Sequence, residues 1–423
     1  MTERKKIVPK RRFKEYQDTN CWEQRTVGEL TNVASAARVH KEEWASSGIP
    51  FFRSSDVVSA YKGKENEKAF ISIELYEQLA RVSGKLEKDD ILITGGGSIG
   101  IPYIVPNNDP LYSKDADLIW IKSSEKFNSR YLYTYFTSPE FRRYLRGISH
   151  IGTIAHYTIE QVKETPIRLP SIDEQNDIGS YFTQLDHLIT LHQRKLEKAK
   201  ALKSAYLSEM FPAEGEYEPK RRFAGFTDTW EQRKLSEIAT MHARIGWQNL
   251  RTSEFLDSGE YMLITGTDFE DGAINYSTCH YVEKERYIQD KHIQITNGSI
   301  LITKDGTLGK VAYVQGLTMP ATLNAGVFNV ELRDGNSVDG KYLFQYLKAP
   351  YLMDYVSKKA TGGTIKHLNQ NILVDFPVVL PNKEEQTKIG EFFSSLDELI
   401  TLHQRKLNKL QSIKKAYLNE MFV

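Results

Sequence analysis

The stretch LDHLITLHQRKLEKAKALKSAYLSEMF (Leu185–Phe211) returns as LDELITLHQRKLNKLQSIKKAYLNEMF (Leu396–Phe422), with 19 of the 27 aligned positions identical. The two copies are offset by 211 positions in a chain of 423 residues. A period that divides a chain in half indicates two copies of one structural unit. We therefore predict two tandem units, each with a globule followed by a helix.

Shorter echoes extend the repeat. PKRRF occurs at Pro9–Phe13 and at Pro219–Phe223, each time upstream of a WEQR motif. ILITGGGSIG at Ile91–Gly100 is matched by ILITKDGTLG at Ile300–Gly309. The PKRRF leaders leave two interpretations open, a basic arm that binds a polyanion or a plain linker.

Each copy of the long repeat predicts an amphipathic helix, because its apolar residues follow steps of three and four. Ser171 and Asn382 each precede a glutamate by three positions, which is typical of a capping box. From that cap each helix spans about 40 residues, or ~60 Å. The predicted seam contains Leu185, Ile189, His192, Leu196, Leu202 and Tyr206 in the first helix and Leu396, Ile400, His403, Leu407, Leu410, Ile413 and Tyr417 in the second.

The seam alone also fits an intramolecular helical hairpin that serves only stability. His192 and His403 have no second ligand type at metal spacing, so we interpret them as packed or hydrogen-bonded side chains and predict no metal site.

The segments between the helices carry short β-rich runs separated by Gly, Pro, Asn and Asp, which indicates α+β globules. The predicted fold is two tandem globules, each followed by a long helix, with the two helices pairing as an antiparallel coiled coil. The predicted boundaries are a basic leader 1–22, globule 23–165, central helix 166–212, linker 213–230, globule 231–376 and C-terminal helix 377–423.

Composition excludes several classes of protein. The 56 Lys+Arg and 55 Asp+Glu residues nearly cancel, so any nucleic-acid contact must come from local basic clusters. Only two cysteines, Cys21 and Cys279, are present, which excludes a disulfide scaffold and a Cys-based zinc module. We expect a cytoplasmic protein, since no apolar run approaches membrane-helix length and no signal-peptide core follows the first basic residues.

No catalytic motif is complete. The turn at Gly95–Gly100 lacks the lysine of a phosphate-binding loop, and Val311 follows Gly309-Lys310 where such a loop needs Ser or Thr. Asp109-Pro110-Leu111-Tyr112 lacks the second proline of the tetrad that holds a flipped adenine in DNA methyltransferases. The sequence therefore predicts no catalytic residue.

Basic residues interleaved with aromatics favour phosphate contacts. A solvated helix face explains each basic cluster equally well. Trp247, which lies between Arg244 and Arg251, fits a buried position in the core as well as a stacking position on DNA. The candidates are Arg142, Arg143, Arg146, Thr153 and His156 in the first globule and Arg244, Arg251, Lys304, Lys310, Lys358, Lys359, Thr364, Lys366 and His367 in the second.

The helix repeat and its lead-in resemble the specificity subunit of Type I restriction-modification systems over essentially the whole chain. The long basic leader departs from that pattern. The motif reads Leu169-Pro170, Glu174-Gln175, Ile178, Phe182, Leu185-Asp186 and Leu188-Ile189, and again Leu380-Pro381, Glu385-Gln386, Ile389, Phe393, Leu396-Asp397 and Leu399-Ile400.

The resemblance implies that each globule is a target recognition domain for one half of a bipartite site in double-stranded DNA. It also implies that the helices act as a spacer and dock two modification subunits. The chain itself would bind no cofactor. S-adenosylmethionine, ATP and Mg²⁺ would be bound by partner subunits, which include restriction subunits in complexes that cleave.

Because the helices match and the globules differ, we expect an asymmetric target with two unlike half-sites. Two recognition domains that bind the same face of DNA should lie about one helical turn apart, ~34 Å centre to centre. A rigid pair of helices can fix that distance. Two other functions stay open, a fused adenine-specific DNA methyltransferase and a helical adaptor without DNA contact.

Overall fold

The computed structural model describes residues 8–113, 117–148, 156–213, 215–306, 308–359 and 368–422. The chain divides into two compact units, Met1–Arg194 with Gln404–Val423 (unit 1) and Lys195–His403 (unit 2). Each long helix contributes residues to both units, which differs from the sequence expectation of one globule and one whole helix per unit. Among the described residues, no helix combines the length and hydropathy needed to cross a membrane.

Unit 1 has a four-stranded antiparallel sheet (order β2-β9-β6-β7), a second four-stranded sheet (β3-β5-β4-β8) and a two-stranded ribbon (β1-β10). Its strands are β1 Glu23–Thr26, β2 Val33–Ala34, β3 Trp44–Ala45, β4 Ile49–Phe52, β5 Ala69–Ile71, β6 Ile91–Thr94, β7 Pro102–Ile104, β8 Tyr112–Ser113, β9 Leu118–Ile121 and β10 Pro166–Leu169. The helices of this half are α1 Val27–Leu30, α2 Ser54–Tyr61, α3 Ile73–Ser83, α4 Ser129–Thr137, α5 Pro139–Ile148, α6 Ile159–Glu164 and α7 Ile172–Glu209.

Unit 2 repeats the antiparallel sheet (β12-β21-β18-β19) and the ribbon (β11-β22), and its second sheet has the order β16-β13-β20-β17. Its strands are β11 Glu231–Lys234, β12 Ala239–His242, β13 Tyr261–Ile264, β14 Phe269–Glu270, β15 Ala273–Ile274, β16 His280–Val282, β17 Gln294–Ile295, β18 Ile300–Thr303, β19 Val311–Tyr313, β20 Ala321–Leu323, β21 Val327–Leu332 and β22 Pro377–Leu380. Its helices are α8 Leu235–Ile238, α9 Lys284–Ile288, α10 Gly340–Lys348, α11 Pro350–Lys359, α12 Gln370–Val374 and α13 Lys383–Met421.

The sheet centres are alike and the edges differ. Strands β6 and β18 share the sequence ILIT and are buried at all four positions, as expected of apolar runs in the middle of a sheet. The second sheets share one parallel pair, β4 with β8 and β13 with β20. Unit 2 adds the hairpin β14–β15. The α+β fold class predicted from the sequence is confirmed.

The long helices run antiparallel within each unit. In unit 1, the ring of Tyr181 stacks on that of Tyr417, with centroids 5.5 Å apart, and Lys414 Nζ lies 2.5 Å from Asp186 Oδ1. In unit 2, Lys203 Nζ lies 2.5 Å from the Asp397 carboxylate. The two ion pairs are related by the 211-residue offset, so the helices make the same pairing contact once in each unit.

The predicted seam residues are buried or half-buried, with the exception of Leu202. Leu185, Leu196, Leu396, Ile400, His403 and Leu407 are buried, while Ile189, His192, Tyr206, Leu410, Ile413 and Tyr417 are half-buried. Leu202 is 40% exposed, and the buried position next to it is Lys203, at 5%. An α-helix has 3.6 residues per turn, so a stripe counted in steps of three and four moves gradually away from the face that is buried.

Burial of Lys203 gives unit 2 an alkaline pH dependence. Burial lowers the pKa of the Lys203 ammonium from 10.5 to about 8. Between pH values of about 8 and 10.5, Lys203 holds its proton in the unfolded chain and has lost it in the folded one. The free energy of unfolding therefore rises with pH by up to ~1.4 kcal/mol per pH unit. We expect Lys203→Met to remove this rise in urea unfolding measured from pH 7.5 to 10. Parallel curves for the two proteins would contradict it.

The two PKRRF segments anchor the starts of the long helices. Nε and Nη2 of Arg12 both donate to the Glu174 carboxylate at 2.6 Å, and Arg222 makes the same two bonds to Glu385 at 2.8 Å. Both glutamate side chains have 0% exposure. Arg11 is also engaged within the protein. The leader is therefore a structural segment at these arginines, and the basic-arm interpretation does not hold for them.

The predicted helix caps are half right. Ser171 Oγ accepts from the backbone N–H of Glu174 at 3.4 Å, and Asn382 Oδ1 accepts from that of Glu385 at 3.0 Å. The glutamate carboxylates bind the leader arginines rather than completing a capping box. A local motif cannot report such a partner, because the arginine lies far away in the sequence.

The glutamine of each Glu-Gln motif joins helix to globule. Gln175 accepts from the backbone N–H of Asn128 at 3.0 Å and donates to the carbonyl of Pro170 at 3.0 Å. Gln386 makes the equivalent two bonds at 2.8 and 2.9 Å. Asn128 in turn caps α4. The motif thus holds one shared scaffold in both units.

Candidate nucleic-acid interface

A Gly-rich turn follows the central strand of unit 1. The backbone N–H of Gly100 donates to the carbonyl of Thr94 at 2.7 Å, and Thr94 Oγ1 accepts from Ile101 N–H at 2.9 Å. Gly100 has φ +71°, a conformation that L side chains rarely adopt. The turn is therefore closed by hydrogen bonds to the last residue of its own strand.

Unit 2 builds its turn in the same way. Gly309 N–H donates to the carbonyl of Thr303 at 2.9 Å, and Thr303 Oγ1 accepts from the backbone N–H of Lys310 at 3.0 Å. The Lys310 side chain is exposed. Lys304 is half-buried, with Nζ 5.5 Å from the centroid of the Phe328 ring. Lys310 is thus presented to solvent, while Lys304 is partly packed.

In unit 1 three predicted elements meet at this turn. Arg142, on α5, donates from Nη1 to the carbonyl of Ile99 at 3.2 Å. His156 is exposed, and its Nδ1 lies 3.9 Å from the position that a Cβ would take at Gly96. Arg143 and Arg146 are exposed on the same helix. Arg143 pairs with Glu140, which partly offsets its charge.

In unit 2 the basic helix α11 stands against the equivalent turn, because Gly309 abuts Met353. Lys358 and Lys359 are exposed at the end of α11. The ammonium of Lys359 lies 5.6 Å from the centroid of the Tyr355 ring. Both units therefore pack a helix that carries exposed cations against a Gly-rich turn, and such cations can neutralise phosphates.

Arg244 must be removed from the candidate set. Its side chain is buried, at 2% exposure, and Nε donates to the carbonyl of Leu323 at 3.0 Å while Nη2 donates to Thr322 Oγ1 at 3.2 Å. Burial lowers the pKa of its guanidinium. Arg244 is therefore bound to strand β20 of the second sheet, whereas Arg251 is exposed and stays a candidate. An isolated arginine in a sequence does not reveal which way it points.

Four further candidates, Thr153, Thr364, Lys366 and His367, lie outside the described residues, and the side chain of Trp247 is likewise not described.

Sequence reasoning missed an exposed aromatic and cation pair in unit 1. Trp44 is 38% exposed at the edge of the second sheet, and the guanidinium of Arg53 lies 5.6 Å from the centroid of its ring. Asp56 accepts from Arg53 Nε at 2.8 Å and holds it there. Trp44 precedes Arg53 by nine residues, and the two come together where β5 pairs with both β3 and β4.

Comparison with known proteins places the fold. The crystal structure of the "Type-I restriction-modification system S subunit from M. genitalium" superposes on this chain with a TM-score of 0.66 at 17% identity, covering 99% of both chains. The MjaVIII specificity subunit of a Type I restriction enzyme from Methanocaldococcus jannaschii is 22% identical over 297 residues, 68% of each chain. The putative MjaX specificity subunit from the same organism is 21% identical over 94% of this chain and 92% of its own.

A family model described as "Type I restriction modification DNA specificity domain" matches residues 20–201 and 227–412. The two matches correspond to the two halves of the internal repeat. Together they cover well over half of the sequence, and the chain belongs to the family of Type I restriction-modification DNA specificity subunits.

Proposed function

We propose that this chain reads an asymmetric bipartite site in double-stranded DNA, with one globule on each half-site. The observation that carries the proposal is the contrast between scaffold and globules. The ion pairs Lys203–Asp397 and Lys414–Asp186 repeat in the two units, while the edges of the second sheets do not. Two units with the same helical scaffold and different sheet edges suit the recognition of two different DNA sequences.

The chain is the DNA-recognition component and not an enzyme. The candidate cations lie on the Gly-rich turns or on the helices packed against them, where phosphate contacts would position each globule on the duplex. Base edges would then be read by loop side chains, with Arg on guanine and Asn or Gln on adenine as the usual pairs. We propose Arg142, Arg146 and His156 in unit 1, and Lys310, Lys358 and Lys359 in unit 2, as contact residues.

We further propose that the helices set the distance between half-sites and dock two modification subunits. α7 and α13 are continuous over 38 and 39 residues, which suits a stiff spacer better than a loop. Two equivalent helix-pair surfaces in one chain can bind two copies of one partner. S-adenosylmethionine, ATP and Mg²⁺ would be bound by modification and restriction subunits, in the cytoplasm where host DNA lies.

A globule exchange tests the proposal. Residues 231–376 would be replaced by the corresponding segment of another specificity subunit, and the hybrid would be expressed with the modification subunits. We expect methylome sequencing to show one changed half-site, one unchanged half-site and the same spacer length. The unchanged protein in the same host is the control. A palindromic wild-type motif, or changes in both halves, would contradict the modular reading.

A further inference from the structure

Three potential metal ligands meet on unit 2 at an edge of its antiparallel sheet. They are His242 in β12, Glu331 in β21 and His292 in the 3-10 turn Lys291–Ile293. One ligand atom from each residue lies within 4.8 Å of the other two. Nε2 of His242 is 3.7 Å from Oε2 of Glu331, and the two imidazole rings stack with centroids 4.6 Å apart.

The fold supports all three positions. The register pairs Thr240 with Glu331 and His242 with Asn329, so His242 and Glu331 are diagonal neighbours on one face of the sheet. Asn329 donates from Nδ2 to the backbone carbonyl of His292 at 3.1 Å. The backbone at His292 is therefore tied to the strand that carries Glu331. Ligands on supported backbone need only side-chain motion to close on an ion.

We propose that His242, His292 and Glu331 form a binding site for Zn²⁺ in the second globule. Two imidazoles and one carboxylate are a donor set that zinc takes, with a fourth position left for water. Bonds of ~2.0–2.1 Å place tetrahedral ligand atoms about 3.3 Å apart, so closure requires shifts of about 1 Å. The exposed side chains of His292 and Glu331 have the freedom for that shift.

The ion would act as a clip between a loop and the sheet. It would join the turn at His292 to an edge strand, since β12 pairs only with β21 in the sheet order. Unit 1 has Val33, Ala34, Trp120 and Ile121 at its equivalent strand pair. The equivalent strand pair of unit 1 therefore lacks these ligands, and zinc binding would stabilise the second globule selectively. No sequence motif announces it, because the three ligands come from separate segments.

The test uses the full-length chain, freed of metal with a chelator and titrated with Zn²⁺ by calorimetry. We expect one zinc ion per chain, and affinity lowered at least tenfold in both His292→Ala and Glu331→Gln. Zinc at 100 times its Kd should raise the Tm of the wild type by about 5 °C. Mg²⁺ should give no shift, since it prefers an all-oxygen shell.

The matched control is His187→Ala, which removes an exposed histidine from α7 and should bind zinc like the wild type. Circular dichroism checks folding, and the Asn329 bond to the His292 backbone does not depend on the side chain removed. Absence of zinc binding in the wild type, or equal affinity in the wild type and both site variants, would overturn the proposal.

Discussion

Arg222→Ala is expected to lower the free energy of unfolding of unit 2 by about 3–5 kcal/mol. The substitution removes both hydrogen bonds that Arg222 donates to the Glu385 carboxylate. Glu385 has 0% side-chain exposure, so its charge would stay buried without a partner. A buried charge left alone is among the costliest single changes known in proteins. Urea unfolding followed by tryptophan fluorescence measures the loss.

The repeat supplies an internal replicate and a control. Arg12→Ala breaks the equivalent pair with Glu174 and should cost a similar amount in unit 1. Arg233→Ala removes a half-exposed arginine whose nearest carboxylate is 3.8 Å away, and should cost less than about 1 kcal/mol. The double variant Arg222→Met with Glu385→Gln should recover part of the loss, because it leaves no buried charge. Equal costs for Arg222→Ala and Arg233→Ala would show that the pair is not a structural anchor.

Much of the architecture could be predicted from the sequence because it is repeated there. The offset of 211 residues, the apolar stripes and the ILIT strands predict two α+β halves and two long helices. The stripes could not predict that Lys203 replaces Leu202 in the seam, since its burial depends on Asp397 across the helix pair. The local sequence pattern predicts whether a segment is a helix or a strand, whereas the partner of a charged side chain depends on the tertiary structure.

The candidate interface was predicted less well, for a related reason. Arg142 and the Gly-rich turn were separate candidates, and only the packing of α5 joins them. Arg244 and Arg251 looked alike in the sequence, yet one is buried in a hydrogen-bond network and the other is exposed. Charge in a sequence indicates affinity for phosphate in general. The direction of each side chain decides whether that affinity is available.

Gly100→Ala is expected to destabilise unit 1 by about 2–5 kcal/mol. A left-handed residue with a Cβ costs about 1–2 kcal/mol, and forcing a methyl group into a packed core adds about 1–3 kcal/mol. At Gly100, φ is +71° and the new Cβ would overlap Leu145 Cδ1 and lie 3.0 Å from Phe141. Both of those side chains are buried core residues of α5.

Two substitutions of the same type separate strain from packing. Gly97→Ala lies on the same turn with φ +68° and open space around the Cβ, so it should cost only the left-handed penalty of about 1–2 kcal/mol. Gly309→Ala meets the flexible side chain of Met353, which can move aside, so its cost should fall between the two. Urea unfolding ranks the three variants.

The same series connects the turn to DNA binding. Because α5 carries Arg142, Arg143 and Arg146, a displaced α5 should weaken phosphate contacts from unit 1. We expect Gly100→Ala, and not Gly97→Ala, to reduce both the affinity and its salt dependence in gel shifts with the modification subunits present. If Gly100→Ala loses stability while the salt dependence stays unchanged, the turn supports the core and α5 is no part of the interface.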